Sequence, residues 1–305
     1  MNKLYACLSF LFGLGIVYFL ISLSNTQNLT SLLFKVDVFT FLFVGVITLL
    51  IAVCATTRWM MLVKTVSVKK ISFPDYLVMF LMGRLGSFFL PKEISDIGVR
   101  TLLLAQSTTV QRAFLSTILD RISDVGILFL FIIPASLYIG KVISSPTALL
   151  LLSGFFALSI LMIFFCTPFV KAVMGYLIQR WKKSISDEEL SHAMQAVTTP
   201  FLGTLFLLSW LRFFFVILRY YVISLVYGLS LPFSVFLLVT PIAQLGYLFS
   251  PTPGGLGFLE ATWYGVLSYL FVAEEAKISF VLGQRIITFF AVVLCLLFVI
   301  LWRRK

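Results

Sequence analysis

Apolar runs of about 20 residues, the length that crosses a hydrocarbon core, recur at 4–23, 38–57, 113–138, 147–166, 199–228 and 278–302. In lipid every backbone N–H and C=O must find its partner within the protein, so such runs become helices. The sequence therefore predicts an all-α polytopic membrane protein with six full transmembrane spans. Charge content supports this: 11% of residues are charged, against about a quarter in soluble domains. The whole of 1–305 reads as a single integral membrane domain, with no room for a sizeable soluble one. The run at 4–23 is long for a signal-peptide core and lacks a small-x-small cleavage site, so it reads as a retained span.

Two further apolar regions, 73–110 and 232–272, are broken near their middles. The first break is Pro91-Lys92-Glu93. The second is Ser250-Pro251-Thr252-Pro253-Gly254-Gly255-Leu256-Gly257-Phe258-Leu259-Glu260. Prolines remove amide donors and glycines favour an unwound turn. Non-helical backbone survives at membrane depth only where protein buries it or it lines a wet cavity. We expect two re-entrant broken-helix hairpins with breaks at Pro91, Pro251 and Pro253, and with Glu260 on the returning half of the second. The alternative for the second break is an extramembrane Pro-Gly turn.

Basic residues orient the spans. Arg58, Lys64, Lys69 and Lys70 follow the second run. Lys171, Arg180, Lys182 and Lys183 lie in 167–198, and the chain ends Arg303-Arg304-Lys305. Segments 24–37, 139–146 and 229–231 are poor in basic residues. The positive-inside rule then puts both termini in the cytoplasm and gives the two hairpins opposite orientations. The halves also echo each other. Leu85-Gly86-Ser87-Phe88-Phe89-Leu90-Pro91 parallels Leu245-Gly246-Tyr247-Leu248-Phe249-Ser250-Pro251, and nine residues beyond each proline stands a charge, Arg100 or Glu260. Residues 1–138 and 147–305 thus read as an inverted repeat, an architecture that puts its site where the breaks meet. The polar connection 167–198 reads as a cytoplasmic interfacial linker, with a capping-box spacing at Ser186-Asp187-Glu188-Glu189.

The net charge of +11 suits loops facing anionic lipid rather than nucleic acid, for which no module is present. His192 is the sole histidine, which argues against His-based zinc sites and catalytic triads. Cys7, Cys54, Cys166 and Cys295 are dispersed through apolar sequence without metal spacing. No metal and no cofactor is expected.

The segment Pro251-Thr252-Pro253-Gly254-Gly255-Leu256-Gly257, followed by Glu260, closely resembles the signature of the prokaryotic flippase-like, or lysylphosphatidylglycerol-synthase transmembrane, family. The likeness continues in Pro91, Ser95-Asp96 and Arg100, although Ser95 stands where members often have glycine and the spacing to the arginine is slightly long. The acidic pair Asp120 and Asp124 also looks like the family's charged pair in this region. Some members carry a soluble aminoacyltransferase or glycosyltransferase domain, and neither is found within 1–305.

The charged residues sort into clusters. Arg100 offers a forked donor for phosphate, or is neutralised by Asp96 four residues away. Asp120, Arg121 and Asp124 could bind a coupling ion, or form an ion-pair network between hairpin and span. Arg212 and Arg219, seven apart, share a helix face and suit a lipid phosphate or a buried carboxylate such as Glu260, with Arg219 able to snorkel outward. Arg285 can pair with Glu260 or anchor at the interface. Gly254, Gly255 and Gly257 would let backbone amides approach a phosphate at the helix start that follows.

The expected substrate set is Arg100, Arg212, Arg219, Gly254, Gly255, Gly257, Glu260 and Arg285. Together with the resemblance, these residues suggest a membrane lipid translocase working through an arginine-lined cavity. Its substrate would be an anionic or modified phospholipid or a polyprenyl-linked lipid. The competing readings are an integral-membrane glycosyl or phosphoryl transferase, and a scaffold for a separate lipid- or glycan-modifying enzyme.

Overall fold

The computed structural model describes residues 36–66, 71–91, 94–180 and 198–303, with Tyr18; for 66, 162–175 and 177–180 only the helical backbone is described. The run 4–23 apart from Tyr18, residues 92 and 93, and 181–197 with the capping-box sequence lie outside the described residues.

The described chain is helical throughout its regular structure. It comprises α1 (Val38–Val66), α2 (Phe73–Gly86), a π-helical turn (Ile94–Val99), α3 (Arg100–Ala105), α4 (Val110–Ile139), α5 (Ser145–Arg180), α6 (Thr199–Val226), α7 (Phe233–Leu248), α8 (Phe258–Tyr269) and α9 (Glu274–Arg303). Side-chain oxygens start several of these helices by accepting an otherwise orphaned N–H. Thr109 accepts from Arg112 at 3.4 Å, and Thr198 accepts from Phe201 at 3.3 Å. Pro200 sits in the first turn of α6, where it has no bond to lose.

Among the described residues, α1, α4, α6 and α9 are long and apolar enough to cross a membrane; Ser145–Leu161 and Phe233–Leu248 are shorter apolar stretches. Their outward faces carry Phe39, Val46, Phe129, Ile133, Phe290 and Phe298, all exposed. An apolar surface spread over several helices suits lipid rather than water. This is a multi-pass membrane protein.

Two boundaries differ from the sequence reading. Helix α1 runs on to Val66, so Arg58 lies within it, fully buried, instead of in a basic loop. The reason is visible in Trp59-Met60-Met61-Leu62-Val63, which keeps the helix apolar beyond the arginine. Helix α5 continues without a break through 167 to Arg180, so the polar connection begins later than expected.

Helices from early and late in the chain pack on each other. Helices α1 and α6 form the most extensive pairing; α2, before the first break, packs on α9, and α7, before the second, packs on α4. The main core gathers around Trp263, Phe236, Phe280 and Tyr220. Trp263 meets Phe280 edge-on with centroids 5.1 Å apart, the favoured aromatic geometry.

Candidate functional site

The two broken regions meet at their turns. Pro91 and Pro253 form an isolated antiparallel bridge, and the Gly254 N–H donates to the Leu90 carbonyl at 2.9 Å. Glycine is required at this contact. Gly254 has φ +63°, and a Cβ there would lie 2.9 Å from the Phe88 carbonyl oxygen. Gly257 at φ +82° opens α8, where its N–H donates to the Glu260 carboxylate at 2.8 Å. The Gly255 N–H goes to Thr252 O at 3.0 Å. All three glycine amides expected to cradle a phosphate are therefore satisfied inside the protein. These glycines serve the turn and the close approach of the two segments.

The long spacing before Arg100 also has a local cause. Residues Ile94–Val99 form a π-helical turn, whose wider ring takes up an extra residue ahead of α3. Ser95, in the place where glycine is frequent, donates to Gly83 O at 2.9 Å and fastens this turn to α2.

Beside the turns lies a dense ion-pair network. Asp120 binds Arg58 at 2.7 Å and Arg100 at 2.9 Å. Asp124 binds Arg58 at 2.6 Å, Arg121 at 3.3 Å, and Arg212. Asp96 binds Arg100 at 3.0 Å, Arg121, and Arg84 at 4.0 Å. Arg58 also donates to Ser209 at 2.8 Å, tying α1 to α6. Arg100 is fully buried, with its guanidinium over Trp59 and Phe80. Asp96 holds its Nε and Asp120 its Nη1. The partner of Arg212 is Asp124, not Glu260. Glu260 pairs instead with Arg285 at 2.9 Å, and Arg285 also donates to Gly254 O.

Between this network and the second turn is a cavity of about 80 Å³ lined by Arg84, Arg121, Asp124, Arg212, Arg219 and Arg285, together with Ser87, Tyr220, Gln244, Tyr247, Gln284 and Thr288. Arg219 does not snorkel outward. It is only 4% exposed, and its guanidinium lies 5.3 Å from the Tyr220 ring centroid. Among the described residues it is in ion-pair contact with no carboxylate. Gln244 reaches the same wall by donating to the Tyr220 hydroxyl at 3.0 Å.

Network and cavity together hold seven arginines (58, 84, 100, 121, 212, 219 and 285) against four carboxylates (96, 120, 124 and 260), a surplus of three positive charges among the described residues. Buried charge without a counterion is strongly unfavourable. Such a surplus gives the cavity an interior that favours an anion.

The sequence reading missed Arg58, Ser209, Gln244, Tyr220 and Tyr247 as members of this region. An arginine followed by a further apolar turn was the available signal for Arg58. The others are ordinary span residues that only the packing distinguishes.

Comparison with known proteins places the chain among membrane proteins. A UPF0104 membrane protein from Methanothermobacter thermautotrophicus is 32% identical over 91 residues, covering 30% of this chain. The match spans 27% of that relative's length. Residues 7–295 match the family described as the lysylphosphatidylglycerol synthase TM region. With nearly the whole sequence inside that match, the chain belongs to the lysylphosphatidylglycerol synthase transmembrane-region family.

Proposed function

We propose that this protein is a lipid translocase of the prokaryotic cytoplasmic membrane, with both termini cytoplasmic. It moves an anionic or modified phospholipid, or a polyprenyl-linked lipid, between leaflets. The observation that carries this reading is the arginine-lined cavity beside the contact of the two breaks, with its surplus of positive charge. A headgroup shelters there while its acyl chains stay in lipid.

The reciprocal packing of α2 on α9 and α7 on α4, with α1 and α6 paired, supports an inverted repeat. The antiparallel contact of Pro91 with Pro253 supports two re-entrant hairpins entering from opposite faces. Alternating access then means opening the cavity past one hairpin or the other. The transferase reading is weaker, because it relies on Asp120, Asp124 or Glu260, and each is held by arginine. A separate lipid- or glycan-modifying enzyme fits this proposal as a partner that supplies or consumes the moved lipid.

The test is reconstitution of the full chain in vesicles of phosphatidylcholine containing a trace of acyl-labelled phosphatidylglycerol. We expect inner-leaflet label to reach the outer leaflet faster than in protein-free vesicles, with the acceleration lost in Arg219→Gln. Equal rates with and without protein, measured for both phosphatidylglycerol and phosphatidic acid, contradict the proposal.

A further inference from the structure

We infer that the turns after α4 and α8 form a phospholipid-contact site at the membrane boundary, where Lys141 meets the lipid phosphodiester and Phe271 and Val142 enter the layer between headgroups and acyl chains. None of these residues lines the arginine-rich cavity, and the inference stands whether or not lipid is moved there.

Three helix ends close in the same way, and the comparison among them isolates the unusual residues. After α6 the Leu229 N–H donates to Ser224 O at 3.0 Å, after α4 the Val142 N–H donates to Leu137 O at 3.0 Å, and after α8 the Val272 N–H donates to Leu267 O at 3.1 Å. Each closure needs a left-handed residue just before its donor. After α6 that residue is Gly228 at φ +71°, which takes the conformation without strain. The other two are Lys141 at φ +56° and Phe271 at φ +57°. A bulky side chain there is an outlier, held at a cost to the fold.

These two strained residues face each other. Lys141 Nζ lies 5.4 Å from the Tyr269 ring centroid and 5.9 Å from that of Phe271, within cation–π range. Yet Phe271 is 87% exposed and Val142 69% exposed, so packing inside the protein does not account for them. Glu274 on the same connection is held by Lys277 and by the Tyr264 hydroxyl, both at 2.6 Å. Lys141 and Glu275, both exposed, carry opposite charges. The patch therefore suits the phosphodiester common to phospholipids rather than a particular net charge.

Depth identifies what covers it. Helices α4 and α9 are long and apolar enough to cross the membrane and have 30 residues each, about 45 Å at 1.5 Å per residue. A bilayer with its headgroup layers is about 40–45 Å thick. The end of α4 and the start of α9 thus lie at headgroup level. Aromatic rings and lysines are favoured there, with the apolar body turned inward and the ammonium among the phosphates.

Photo-crosslinking tests the site, with p-benzoylphenylalanine in place of Phe271. The full chain is reconstituted in phosphatidylcholine vesicles holding a trace of acyl-labelled phosphatidylcholine. The same replacement at Phe290, well inside α9 and exposed, is the hydrocarbon control. We expect both positions to label lipid, at 271 on carbons near the glycerol and at 290 further down the chain. Lys141→Gln lowers the yield at 271 by roughly threefold, the scale of an exposed charge contact, and leaves 290 unchanged. Phe271→Gly raises the melting midpoint in detergent, because glycine relieves the left-handed backbone.

Absence of a lipid adduct at 271 puts the patch in water, and an adduct to a second copy makes it a chain-to-chain contact; either result overturns the site. An unchanged yield at 271 in Lys141→Gln overturns the phosphate contact. A lower midpoint for Phe271→Gly shows that the ring packs within the fold, which overturns the argument from strain.

Discussion

Arg58 ties the ion-pair network together. It is fully buried and touches Asp120, Asp124 and Ser209, so it joins α1 to α4 and α6. Removing one partner from a buried pair leaves an uncompensated charge and costs about 3–5 kcal/mol. We therefore expect Arg58→Met to lose that much stability, seen as a large fall in the melting midpoint of the purified protein. An unchanged midpoint would mean that Asp120 and Asp124 are neutral or solvated, and that the network does not hold these helices together.

Arg219, by contrast, stabilises little, because it has no carboxylate partner in ion-pair contact among the described residues. The pairing of these two arginine types was only partly legible in the sequence. A seven-residue spacing puts Arg212 and Arg219 on one face, and both indeed line the cavity. That Arg212 meets Asp124, 88 residues away, and not Glu260 depends on tertiary packing. No local pattern encodes it.

At the scale of elements, the breaks themselves are what the sequence displays most openly. Proline and glycine interrupt apolar helices at Pro91 and Pro253 for stereochemical reasons that need no tertiary knowledge. Their contact with each other is a property of the packed molecule. So is the use of the Gly254 N–H by Leu90 rather than by a ligand.

This difference yields a paired prediction. Gly254→Ala forces a left-handed residue and drives its Cβ against the Phe88 carbonyl at 2.9 Å. It should cost about 1–3 kcal/mol and loosen the contact between the turns. Gly265→Ala, within α8 where an added Cβ meets nothing within 4 Å, should be neutral or stabilising by up to about 1 kcal/mol. Thermal unfolding of the two variants side by side checks this. Equal midpoints would show that the turn contact is not under steric constraint. The π-helical turn at Ile94–Val99 is a further case where sequence held a hint, the long spacing to Arg100, without its form.

For the whole molecule, lipid-facing apolar helices surround a small buried volume in which positive charge exceeds negative among the described residues. Apolar periodicity and length reveal the first part directly. The second emerges only when seven arginines and four carboxylates among the described residues are brought together. We propose that this imbalance serves to hold an anionic lipid headgroup. Mass spectrometry of lipids retained by the protein after gentle extraction from native membranes tests it most directly, with Arg219→Gln prepared in parallel and the bulk membrane as baseline. We expect one phosphate-bearing lipid class to be enriched on the wild type and returned to the bulk proportion in the variant. Retained lipid that matches the bulk membrane in both preparations would contradict the claim.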